Sequence, residues 1–240
     1  MGTLLILGEP LRLDIFTIAL AFLVIFFFTF VVKTRLKSLK YLTSSTYFIN
    51  YRILSSILLL FAGVLFFQEN ITLADYIGVG IGFVVFYLLL EKKDQKESID
   101  DVKTGFLYLT YSAILIALVH ICVKYGVQSD IHVLSFTFFE GIAGIVYILI
   151  FKNGESVQKI IRLYEGKKLC FLIGAGAMYS VAAIVNSYAY YGGNVAIVYK
   201  IISYSLFIPI ILSIIFYKEK VTPKKMIAFL LTILSIALFL

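Results

Sequence analysis

Three ionisable side chains stand inside long apolar runs: Arg52, Glu140 and Lys200. Burying a charge in lipid costs several kcal/mol, roughly 2.5–3.5 on insertion scales. Side chains kept at that cost usually face a cavity or a partner, so these three lead the candidates for holding a solute or moving a proton. Glu140 is the sharpest, lying mid-run in Phe136-Thr137-Phe138-Phe139-Glu140-Gly141 as the one acid inside any apolar run. Its short side chain reaches an interface poorly. Desolvation and a nearby cation act on a carboxyl in opposite directions, a combination that suits proton exchange. The competing reading is a static pair between Glu140 and Lys200 or Arg52. Arg52 and Lys200 also have stems long enough to snorkel to the nearer interface.

A second group of polar side chains surrounds these three. Tyr51 adjoins Arg52, Tyr204 follows Lys200 by four residues, and Asn50 precedes Lys200 by 150 positions. His120 lies near the end of its run, where it is either an interfacial residue or a proton relay. Tyr179 sits mid-run and is a pocket candidate. Neither a buried aspartate pair nor a His-Glu-x-x-His helix nor a Cys/His cluster occurs. Cys122 and Cys170 lie in apolar runs as buried thiols, without metal or redox spacing. No catalytic residue, metal ligand or cofactor is therefore expected, and the chain is not read as an enzyme.

The elements that must position these residues are membrane helices. Of the 240 residues, 61% are hydrophobic and 15% charged, with mean hydropathy +1.00. A soluble domain carries about a quarter charged residues. The apolar runs are continuous, not alternating, so they are helices, which alone satisfy their own backbone in lipid. The expected fold is all-α, a polytopic membrane bundle of about eight spans, near 15–32, 47–67, 74–90, 106–123, 133–151, 169–190, 195–217 and 226–240. The net charge of +7 reflects lysines in short loops, so nucleic acid is not expected as a partner. Loops 33–46, 91–104, 152–168 and 218–225 hold 17 of the 21 basic residues. The other side has Arg12 and Lys124 with Glu69, Asp75 and Asp130. The positive-inside rule places the basic loops in the cytoplasm of a plasma-membrane protein and both termini outward.

The chain also repeats itself. Phe66-Phe67-Gln68-Glu69-Asn70-Ile71-Thr72 returns 150 positions later as Phe216-Tyr217-Lys218-Glu219-Lys220-Val221-Thr222, between two apolar runs each time. One loop is acidic and the other basic, so the copies are inverted, as in carriers built from internal repeats. Residues 1–91 make a first repeat of three spans, 92–105 a solvated cytoplasmic linker, and 106–240 a second repeat of five spans. Two helices of the first repeat would lie before Met1.

The stretch Asn186-Ser187-Tyr188-Ala189-Tyr190-Tyr191-Gly192-Gly193-Asn194-Val195-Ala196-Ile197-Val198 resembles EamA-like carriers of the drug/metabolite transporter superfamily. The Pro209 span, the loop Lys218-Glu219-Lys220-Val221-Thr222 and the final span fit the same pattern. So does Leu39-Lys40-Tyr41-Leu42-Thr43-Ser44-Ser45 leading to Glu69 and Thr72. The resemblance implies ten spans in two inverted five-helix halves around a cavity for small metabolites such as amino acids. This chain departs in lacking the first two spans and in the outward termini its charges give. The expected function is a secondary transporter whose polar solute binds between the halves near Lys200 and Arg52. Glu140 would supply charge balance or a coupling proton. The alternative is a non-transporting or partner-dependent membrane subunit. A homodimer fits either reading.

Overall fold

The computed structural model describes residues 14–70, 72–88, 99–151, 167–193, 195, 198, 202 and 222–238. Among them are seven helices and no strand. They are α1 (Ile15–Ser38), α2 (Ser44–Phe67), α3 (Leu73–Leu88), α4 (Ile99–Gln128), α5 (Val133–Phe151), α6 (Lys167–Gly192) and α7 (Pro223–Leu238). Three helices are long and apolar enough to cross a membrane: Ile15–Ser38, Thr46–Phe67 and Asp100–Gln128. Shorter apolar helices cover Leu73–Val85, Val133–Tyr147 and Met226–Ser235. The expected span 195–217 lies almost wholly outside the described residues.

Helix starts are set by side chains that take up free backbone amides. The Thr17 amide donates to Asp14 Oδ2 at 3.0 Å and the Thr17 hydroxyl to the same oxygen at 3.1 Å. Thr43 caps α2 by accepting from the Thr46 amide. Thr72 and Asp75 form a reciprocal box at α3. The Thr72 amide donates to Asp75 Oδ2 at 2.8 Å and the Asp75 amide to Thr72 Oγ1 at 3.3 Å. Such boxes satisfy donors that the helix itself leaves open. α2 closes on Gln68, a left-handed residue with φ 55°.

Two boundaries differ from the sequence reading. α1 runs on through Lys33, Arg35 and Lys37, so the basic connection shrinks to 39–43. α4 begins at Ile99, inside the segment expected to be a solvated linker, with Asp100 and Asp101 in its first turn. Acids there complement the helix dipole. α4 also runs past Lys124, which is therefore not a loop cation: it is buried, and its ammonium donates to the Tyr190 carbonyl at 3.0 Å. That bond supplies a donor to a carbonyl near the end of α6, where the helix leaves its own carbonyls open.

The chain divides into two compact units. One comprises residues 1–26 and 122–192, the other 27–121 and 193–240. In the first, Tyr147 of α5 meets Phe22 and Phe26 of α1, with ring centroids 6.4 and 6.0 Å apart. Gly126 leaves room for Leu20 and Ile131, whose side-chain ends fill the place of a Cβ.

In the second unit, Ile49, Ile53 and Ile57 of α2 form a cluster with Val85 of α3 and Ala228 of α7. The Ser235 hydroxyl donates to the Gly78 carbonyl at 2.7 Å. α3 and α7 are thus antiparallel neighbours. The 150-residue offset maps α3 onto α7, Gly78 onto Ala228 and Val85 onto Ser235. The offset thus relates residues that lie where these two helices meet. The Glu69 carboxylate in the same unit accepts the Val195 amide at 2.6 Å. It occupies the place a Cβ on Gly63 would need.

Candidate functional site

The polar positions of α2 gather near its start. Tyr47, Asn50 and Tyr51 are spaced three and four apart, the spacing that puts side chains on one helix face. All three are buried. Tyr47 and Tyr51 stack with centroids 5.4 Å apart and planes 15° off parallel. The Asn50 amide donates to the Thr46 carbonyl at 3.0 Å, which fixes the group's orientation. Its Oδ1 is buried and has no hydrogen-bond partner among the described residues.

Two guanidiniums share the Tyr51 ring. Arg35 from α1 lies 5.5 Å from its centroid and 5.9 Å from that of Phe48. Arg52 lies 5.8 Å from the Tyr51 centroid. These distances fall within the range of cation–π attraction. His120 of α4 is buried, and Arg52 is the charged group whose field reaches it. Nearby, Thr34 and Ser112 join α1 to α4 through a 2.6 Å hydroxyl contact. The Ser38 hydroxyl donates to the Gly105 carbonyl at 2.8 Å.

In the other unit, Glu140 of α5 is only 7% exposed. Its carboxyl acts electrostatically on Tyr179 of α6, which is half exposed. Tyr190, near the end of α6, is fully buried.

The candidates thus fall into two sets. Asn50, Tyr51, Arg52 and His120 belong to one unit, and Glu140 and Tyr179 to the other. Lys200 and Tyr204 lie outside the described residues. Sequence reasoning missed Arg35 and Tyr47. Arg35 was assigned to a basic loop, whereas α1 carries it to the aromatic face of α2. The run Tyr47-Phe48-x-x-Tyr51 just beyond that loop was the available signal. Among the described residues no group of three His, Cys, Asp or Glu is placed to hold a metal.

Ionisable residues buried in apolar helices are the pattern of a membrane protein that handles polar solutes or protons. The model of the EamA-like transporter family matches residues 103–240, more than half of the chain, and the chain belongs to that family. It is a multi-pass membrane protein of the drug/metabolite transporter superfamily, whose EamA members are transporters, not enzymes. No curated protein matches the chain. Nineteen chains of solved structures do. One, a crystal structure 13% identical, superposes with a TM-score of 0.63 over 99% of this chain and 81% of its own. At that identity the likeness is one of fold.

Proposed function

We propose that this protein is a secondary transporter of the plasma membrane that carries a small polar solute by alternating access. The observation that supports this most is the buried pair Asn50 and Tyr51 of α2 with the partly buried Arg52 against the Tyr51 ring, within a chain whose family transports. A helix meant only to sit in lipid gains nothing from a buried amide oxygen that finds no donor among the described residues. Asn50, Tyr51, Arg52 and His120 would contact the solute, with Lys200 and Tyr204 contributing from the second repeat. Glu140 would carry the coupling proton, its environment reported by Tyr179. Residues 1–91 and 106–240 would be inverted repeats joined by the cytoplasmic segment 92–105. The basic loops would face the cytoplasm and the termini the outside.

The test is solute uptake into proteoliposomes by the purified chain. Flux should vanish with Glu140→Gln or Lys200→Met in protein that inserts normally. Unchanged flux in both variants would remove these residues from the mechanism. Folded wild-type protein without flux for any solute class would favour the partner-dependent subunit.

A further inference from the structure

The cluster around Tyr51 has the chemistry of an oxyanion seat. Arg35 and Arg52 approach the same ring, at 5.5 and 5.8 Å. Neither α1 nor α2 contains an aspartate or glutamate, so the helices bearing these guanidiniums bring no carboxylate of their own. Arg35 Nε is buried with no hydrogen-bond partner among the described residues. One residue from Tyr51, the buried Asn50 Oδ1 is an acceptor with no donor among the described residues. The Arg35 guanidinium is engaged by the Tyr47 and Tyr51 side chains, which hold it in place while its Nε stays open to an acceptor. The guanidinium fork matches the two oxygens of a carboxylate or phosphate.

We infer that Arg35 and Arg52, held on Tyr51, bind the oxyanion of a small organic acid or phosphate ester, with Asn50 accepting a hydroxyl or N–H of the same molecule. This rests on the transport reading and names the solute class for it. A lipid phosphate headgroup would bring the same chemistry, and the test separates the two sources.

The full chain is purified and its apparent melting temperature followed with succinate, malate or inorganic phosphate as probes. A parallel series uses nanodiscs of phosphatidylcholine with and without phosphatidylglycerol. A soluble anion should raise the melting temperature, with the shift lost in Arg35→Gln and Arg52→Gln. Arg35→Lys keeps the charge but loses the fork, and guards against misfolding of the glutamine variant. It should weaken the apparent affinity roughly tenfold or more. Stabilisation by phosphatidylglycerol alone, lost in Arg35→Gln, would assign the seat to a lipid phosphate instead of the solute. Stabilisation by neither, or a shift unchanged in folded Arg35→Lys and Arg52→Gln, would overturn the seat. Succinate flux is measured separately. Binding without flux would contradict the transport reading and keep the seat, while flux of neutral solutes without anion binding would do the reverse.

Discussion

Asp14 shows how one side chain ties stability to pH. The Thr17 amide, and then its hydroxyl, hold the Asp14 carboxyl below its ordinary range. A depressed carboxyl contributes stability that is present above its unfolded pKa and lost as pH falls through the folded value. Asp14→Asn should therefore flatten the acid limb of a melting-temperature profile below the usual carboxylate range. An identical acid limb in the variant would mean that the cap does not bear on stability. Asn50→Ala removes one helix-local hydrogen bond and one unpartnered acceptor, so stability should change by less than about 1 kcal/mol. Solute affinity should fall all the same. Tyr51→Ala removes a buried ring and should cost roughly 3–5 kcal/mol, read from denaturation in detergent. Glu140 and Arg52 stand out in the sequence because a charge inside an apolar run is costly to bury. Arg35 does not, because a cation at a run's border has a simple explanation, and only the packing of α1 against α2 shows where its side chain goes.

At the scale of elements, small residues set how closely helices approach. A Cβ on Gly82 would meet Ile53 Cγ2 at 2.8 Å, whereas nothing lies within 4 Å of one on Gly80. Gly82→Ala should destabilise by about 1–3 kcal/mol through overpacking. Gly80→Ala should be neutral or slightly stabilising, since alanine favours the helix. Equal effects in a thermal-unfolding comparison would show that the α2–α3 contact does not depend on the small residue. Helix existence was readable from apolar run length, but helix ends were not. The linker's last residues fold onto α4 because acids suit a helix start, and Lys124 is drawn inside by the Tyr190 carbonyl, a partner 66 positions away. Hydropathy sees neither effect.

For the whole molecule, the 150-residue offset of the loop motif relates α3 to α7, two helices that pack against each other through Ser235 and Gly78. That offset carries Glu69 and Val195 to Glu219 and Ser45. Glu69→Ala should loosen the Val195 tether and slow transport, and Glu219→Ala is expected to match it. An effect in one alone would mean that the halves work unequally. What the sequence could not reveal is the solute, because side chains such as Arg35 of α1 and Tyr51 of α2 meet only after packing. The most direct measurement is flux of a panel of anionic, neutral and cationic solutes into proteoliposomes, with wild type beside Glu140→Gln. The expected result is selective uptake by the wild type that falls to the level of empty liposomes in the variant. Correctly inserted wild-type protein that moves none of the panel would contradict the assignment as a transporter.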